Sequence, residues 1–298
     1  MSANATGNDE IQVNTTTTGG QFAASTTALA DGGWLSTWTS DASGSAFTFF
    51  QRYDADGVAV GSEVEVNTGS SLFSQKDPSV TALADGGWVI VWEDVLSEGS
   101  SNEGIFMQRY DTSGATEGSV VQLTSGADAN NGNPSVTTLA DGGWVVAWRD
   151  NNSPQQQRFD ADGNSVGGPD VINVTFTSLS DQNPVLSALE DGGWIVTFEV
   201  GFDSQSIFRQ RFNAEGARVG GATQIDASTS GDQDNAVVAG LADGGWVVAW
   251  NAYFQYQGEV STIVHRRFGF THEAPEGFDK TVTIKEDKAQ ALSANYFG

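Results

Sequence analysis

Apolar residues in this chain gather into short runs, and the clearest is Trp88-Val-Ile-Val-Trp92. Read as a strand, it puts Trp88, Ile90 and Trp92 on one face and Val89 and Val91 on the other. Both faces are apolar, so this strand is expected to be covered on both sides. Before it, Asp77-Pro78-Ser-Val-Thr-Ala-Leu83 reads as a first strand and Ala84-Asp85-Gly86-Gly87 as a tight turn, where glycine tolerates positive φ. After a polar stretch, Ile105-Phe-Met-Gln-Arg-Tyr110 has the β-branched and aromatic character of a third strand. Asp111-Thr-Ser-Gly114 turns the chain, and Ser119-Val-Val-Gln-Leu123 is the fourth strand.

This unit occurs five times. The phrase LADGGW and its near copy LEDGGW place Trp34, Trp88, Trp144, Trp194 and Trp246 at intervals of 54, 56, 50 and 52 residues, and all nine tryptophans fall inside the copies. A period near fifty with four strands per unit is the pattern of a propeller blade. The fifth copy stops after three strands, the third spanning residues 262–268. An unpartnered piece at the other end, Glu10-Ile-Gln-Val-Asn-Thr15, matches the fourth strand of the first copy, Glu63-Val-Glu-Val-Asn-Thr68. The expected fold is therefore all-β: a five-bladed β-propeller of four-stranded antiparallel blades, its ring closed by the N-terminal strand completing the last blade. A linear solenoid is the alternative, but it does not account for the matching spare and missing strands. The expected boundaries are a disordered tail at 1–9, the propeller at 10–269, a linker at 270–278 and a further segment at 279–298.

Composition changes this picture little, but it narrows the partners. The net charge is −25, from 38 acids against 13 bases, which disfavours nucleic acid and anionic membrane surfaces. No apolar run nears the ~20 residues that span a bilayer, and the first ten residues have neither the basic nor the apolar part of a secretory signal. The absence of cysteine removes disulfides and thiolate metal sites.

Features present in every copy are expected to build the fold. The third strands carry Arg52, Arg109, Arg158, Arg211 and Arg267, each placed to meet the turn aspartate of its own blade, Asp31, Asp85, Asp141, Asp191 or Asp243, or to lie over a tryptophan. The paired aromatics at i and i+4 read as core, not as a sugar platform. Asp54 and Asp56, and Asp160 and Asp162, resemble fragments of calcium loops but lack the remaining ligands, so hairpin turns are the better reading.

Function is expected where the copies differ, in the loops at the opposite end from the DGG turns. The positions following the second aromatic have diverged: Glu93 and Asp94, Arg149 and Asp150, Glu199, and Asn251. Tyr253 and Tyr256 add aromatics suited to stacking on a sugar or a peptide. These eight are the candidate ligand-binding residues. The acids among them also allow an alternative, a carbohydrate-active enzyme of glycosidase type. With two histidines and no nucleophile motif, a non-catalytic module requiring no cofactor is preferred.

The repeat LADGGWVVAW…QRYDADG resembles one in large bacterial RTX-type secreted and surface adhesin-like proteins, over most of residues 10–268. The tail from Asp279 resembles the truncated start of a bacterial cadherin-like domain, in which an acidic pair, here Glu286-Asp287, can contribute to calcium binding. The resemblance implies an extracellular or cell-surface location, a monomeric module of a larger chain, a glycan or protein ligand, and calcium as the candidate ion.

Overall fold

The computed structural model describes residues 10–66, 74–95, 103–124, 131–150, 154–172, 183–201, 205–227, 231–254, 260–269 and 282–284. Twenty strands form five four-stranded antiparallel sheets. The first sheet contains β1 (Gln21–Ala28), β2 (Trp34–Ser40), β3 (Phe47–Tyr53) and β4 (Ala59–Glu65). The second contains β5 (Ser74–Ala82), β6 (Trp88–Val95), β7 (Glu103–Tyr110) and β8 (Thr116–Gln122). The third contains β9 (Gly132–Thr138), β10 (Trp144–Arg149), β11 (Gln155–Phe159) and β12 (Ser165–Val171). The fourth contains β13 (Val185–Ala188), β14 (Trp194–Val200), β15 (Ser206–Phe212) and β16 (Arg218–Gln224). The fifth contains β17 (Gln233–Gly240), β18 (Trp246–Phe254), β19 (Val260–Phe268) and β20 (Val282–Ile284). These are the blades of a five-bladed β-propeller. They fall into two compact units, one holding the first three blades and the other the last two.

The DGGW phrase builds the turn at one end of each blade. Its first glycine takes φ near +85°, as at Gly86 and Gly142, a region closed to most L-residues. Its second glycine leaves no room for a side chain: a Cβ on Gly87 would overlap the carbonyl oxygen of Tyr110 on β7. Asp85 Oδ1 accepts from Gly87 N at 2.9 Å, and the other four turns repeat the bond. The tryptophan that follows stacks on the aromatic opposite it on the third strand, with centroids 5.2 to 5.8 Å apart in all five blades.

Apolar seams join successive blades within each unit. Leu35 and Phe50 of the first blade pack with Trp88, Ile90 and Trp92 of the second. Val89 and Val91 on the other face of β6 pack with Trp144, Val146 and Trp148 of the third. Ile195 and Ile207 of the fourth pack with Trp246 and Trp250 of the fifth. The expectation that both faces of the second strand are covered, and that the paired aromatics are core, is met except at Trp34, which is half-buried.

The closure expected from the sequence requires correction. The fourth strand of the fifth blade is Val282–Ile284, paired with β19 from Ile263↔Ile284 to His265↔Val282, and not residues 10–15. Residues 11–15 form no strand; Thr15 N instead donates to Glu63 Oε1 on the first blade. The unpaired edge of β19 needs a partner, and the β-branched Val-Thr-Ile supplies one. These three residues, placed by the sequence in a following domain, thus belong to the last sheet.

Candidate functional site

Most loops at the variable end lie outside the described residues; the loop between β2 and β3 of the first blade is described. The strand tips that carry those loops are shaped by bulges. Ala23, Asp77, Asn133 and Asn235 hold φ of 50° to 53° at equivalent points on the first strands, each beside a register shift. Aspartate and asparagine tolerate this region better than most side chains, which explains their recurrence there. The bulges pair Lys76 with Glu93, Gly132 with Arg149 and Asp234 with Asn251.

The candidate residues are drawn into these pairings. Glu93, buried, meets Lys76 Nζ at 2.7 Å. Its Oε2 and Arg149 Nη2 lie 2.5 and 2.6 Å from the point a Cβ on Gly132 would occupy, so they share the space that this glycine leaves. Glu199, also buried, accepts from the backbone N of Asn235 at 2.7 Å and from Asn183 Nδ2 at 3.0 Å. Asn251 Nδ2 donates to Asp234 Oδ1 at 3.0 Å. Tyr253 extends β18 and donates its backbone N–H to Asp232. Asp150 is half-buried at the end of β10. Tyr256 lies outside the described residues. Asp94 is fully buried, with neither carboxylate oxygen in a well-formed hydrogen bond. Burial pushes its pKa up to about 7, against a partial opposing pull from the Trp92 indole and the Ser74 and Val95 amides. Among the described residues, Glu93 in the first unit and Glu199 and Asn251 in the second tie strand tips together.

The calcium-loop fragments cap turns. Asp54 Oδ1 accepts from the backbone N of Asp56 and Val58, and Asp160 Oδ1 from Asp162 and Asn164. Asn213, which has no charge, accepts from Ala217 N in the same way, so the turn geometry does not require a carboxylate. Among the described residues no three His, Cys, Asp or Glu side chains are gathered to hold a metal. Glu286 and Asp287 lie outside the described residues.

One cavity that the sequence did not single out opens at the variable end of the first blade. It encloses about 310 Å³ and is lined by Trp38, Phe47 and Phe49 together with Thr16, Gln21, Ser40 and Glu63. Trp38 and Phe49 stack at 6.2 Å. Gln21 Nε2 donates to Ser40 Oγ at 2.8 Å, which leaves Gln21 Oε1 buried and without a hydrogen-bond partner. A sequence signal existed. Phe47 and Phe49 flank Thr48 at the start of β3, and in the first copy alone the second strand carries a polar residue, Ser36, where the other copies have Ile90, Val146, Val196 and Val248.

The fold and this opening define a β-propeller with an aromatic-walled cavity on one blade. No protein-family model matches the chain, and no curated protein matches it. Among solved structures, the chain is similar to a NanB sialidase from Streptococcus pneumoniae, with a TM-score of 0.60 and 10% identity over 84% of this chain and 59% of that one. It is also similar to an alpha-L-arabinanase of Penicillium chrysogenum complexed with arabinobiose, with a TM-score of 0.54 and 14% identity over 82% of this chain and 77% of that one. A Hadza microbial sialidase gives a TM-score of 0.52 and 11% identity, covering 82% of this chain and 56% of the other. The chain thus spans little more than half the length of the two sialidases. These likenesses show the fold alone.

Proposed function

We propose that this chain is a non-catalytic, carbohydrate-binding propeller module of a secreted or cell-surface adhesin-like protein. The observation that carries the binding is the cavity of the first blade. Phe47 and Phe49, both partly exposed in the lining, offer the apolar face of a sugar ring a surface backed by the buried Trp38, and the hydroxyl, amide and carboxylate groups of Thr16, Gln21, Ser40 and Glu63 serve the ring's hydroxyls. Gln21 Nε2 donates to Ser40 Oγ, which holds this polar pair in place at the cavity lining. The volume is at the lower end of the roughly 300–1,000 Å³ of small-molecule sites, which suits one or two sugar residues. The names of the structural neighbours, which are proteins that act on carbohydrate, agree with this class of ligand. The adhesin context rests on the resemblance of the LADGGW repeats.

Glycosidase activity is disfavoured on geometry, because Glu93 and Glu199 are already engaged by Lys76 and by Asn183 and Asn235. The test is a glycan array with the wild type, Gln21→Ala and Phe47→Ala, the variants first checked for folding by circular dichroism. Retention of one glycan class by the wild type, weakened at least tenfold in both variants and unchanged in Glu93→Gln, is the expected result. Turnover of a bound glycan would establish the enzyme instead. Absence of any retention would leave the module a spacer.

A further inference from the structure

The seam between the first and second blades has a polar layer at the variable end. On β6, Trp88, Ile90 and Trp92 face the first blade, and Asp94 continues that face two residues further on. Across the seam, Leu35 and Phe50 mark the facing side of the first blade, and Thr37, Thr39 and Thr48 lie on it. Thr39 and Thr48 are cross-strand partners. Gln75, opposite Asp94 on β5, is bonded into the first blade: its N–H donates to Ala46 O at 2.7 Å, and its Oε1 accepts from Thr48 N at 3.3 Å. Asp94, Thr37, Thr39 and Thr48 are all fully buried, and none of their side-chain oxygens has a well-formed hydrogen bond. Trp92 Nε1 is likewise buried without a well-formed bond, and with the Ser74 and Val95 amides it offsets only part of the effect of burial on Asp94. At the positions of Thr37 and Thr48, the second blade presents Val91 and Ile105 to the third.

No counter-charge faces Asp94 among the described residues. From β5 it meets Gln75 and Ser74; from β7, Gly104 lies opposite it. On β2 and β3, among the described residues, the buried polar side chains on the facing side of the seam are the uncharged Thr37, Thr39 and Thr48. Glu93, its neighbour along β6, projects from the other face and is paired with Lys76. A charged carboxylate buried among uncharged groups costs several kcal/mol, whereas a neutral carboxylic acid gains a hydroxyl donor that a threonine oxygen can accept.

We infer that the seam between the first two blades is a proton-dependent latch, closed when Asp94 is neutral and weakened when Asp94 loses its proton. The linkage has a definite sign. An acid whose folded-state pKa is raised contributes stability that is fully present below its unfolded-state value and is lost as pH rises through the folded-state value. Between an unfolded-state pKa near ~4 and the folded-state value of about 7, the folding equilibrium constant of the first unit falls by up to about tenfold per pH unit.

The test compares thermal unfolding of the wild type and Asp94→Asn from pH 5 to pH 8. Asparagine keeps the shape and cannot ionise, and the change in overall charge with pH is shared by both proteins. The expected result is a variant that gains on the wild type steadily from pH 5 to about pH 7 and holds that gain to pH 8. A constant difference across the whole range would overturn the latch. Should the variant fail to fold, amide hydrogen exchange in the wild type decides. The Gln75 and Thr48 amides are expected to lose protection between pH 5 and pH 8 relative to Val136 at the seam of the second and third blades. Parallel behaviour at the two seams would overturn the inference.

Discussion

Arg109 shows how much one repeated side chain does. Its Nη2 meets Asp85 of its own blade, its Nε lies 2.9 Å from Glu117 on β8, and its guanidinium stands 5.8 Å from the ring of Trp144 in the next blade. Arg52 repeats the pattern, 2.5 Å from Asp31 and 6.0 Å from Trp88. In each case the tryptophan is that of the following blade, so the arginine pins one blade to the next. Arg109→Leu is expected to lower stability by about 1–2 kcal/mol, the sum of an exposed ion pair worth under ~1 kcal/mol and a cation–π contact of similar size. That loss reads as a drop of several degrees in the calorimetric midpoint; an unchanged midpoint would remove the staple. The pairing of turn aspartate with strand arginine could be read from the repeat because both residues recur at fixed offsets. The glutamine before the arginine could not. Gln108 Nε2 donates to the carbonyls of Arg109 and of Glu117 at 2.8 and 3.1 Å, beside a register shift between β7 and β8. A bulge is a matter of strand register, which no single strand displays.

At the scale of the element, the fifth blade explains its own departures. Gln51, Gln108, Gln157 and Gln210 each serve a bulged fourth strand. The fifth copy has Arg266 at this point, and among the described residues its fourth strand pairs with three residues of β19. Arg266 reaches instead to the carbonyl of Ile225 in the fourth blade, at 2.8 Å. Cutting the chain after Gly269 would remove β20 and bare the edge of β19. The truncated protein is expected to unfold at a lower temperature and to self-associate through that edge, measured by calorimetry and light scattering. Unchanged behaviour in both would show that β20 contributes nothing to the last blade.

For the whole molecule, charge dominates the response to solvent. With a net charge of −25 the folded state repels itself, and screening relieves this. Raising sodium chloride from about 20 mM to about 500 mM shortens the screening length from roughly 20 Å to about 4 Å and is expected to raise the unfolding midpoint. A fall would mean that the surface Arg–Asp pairs outweigh the repulsion. In acid the turn aspartates act in the opposite sense. Arg52 and the Gly33 amide hold Asp31 below the usual carboxylate range, and Asp85, although desolvation opposes it, is lowered by the Gly87 amide and Arg109. Their contribution is present above pH ~4 and is lost as the pH falls below it.

Five blades, their strand order, the covered tryptophans and the arginine braces follow from the sequence, because each rests on a local pattern repeated five times and so carries its own control. The strand that completes the fifth blade does not, since residues 10–15 and 282–284 are both rich in β-formers and only tertiary pairing chooses between them. The surroundings of the variable residues also come from three dimensions. The left-handed bulges of the first strands bring pairing partners up to Glu93, Glu199 and Asn251. The cavity of the first blade and the buried acid at its seam are products of packing: aromatic rings beside polar groups, and a carboxylate at a seam lined with threonines, come together only when strands distant in sequence are laid side by side.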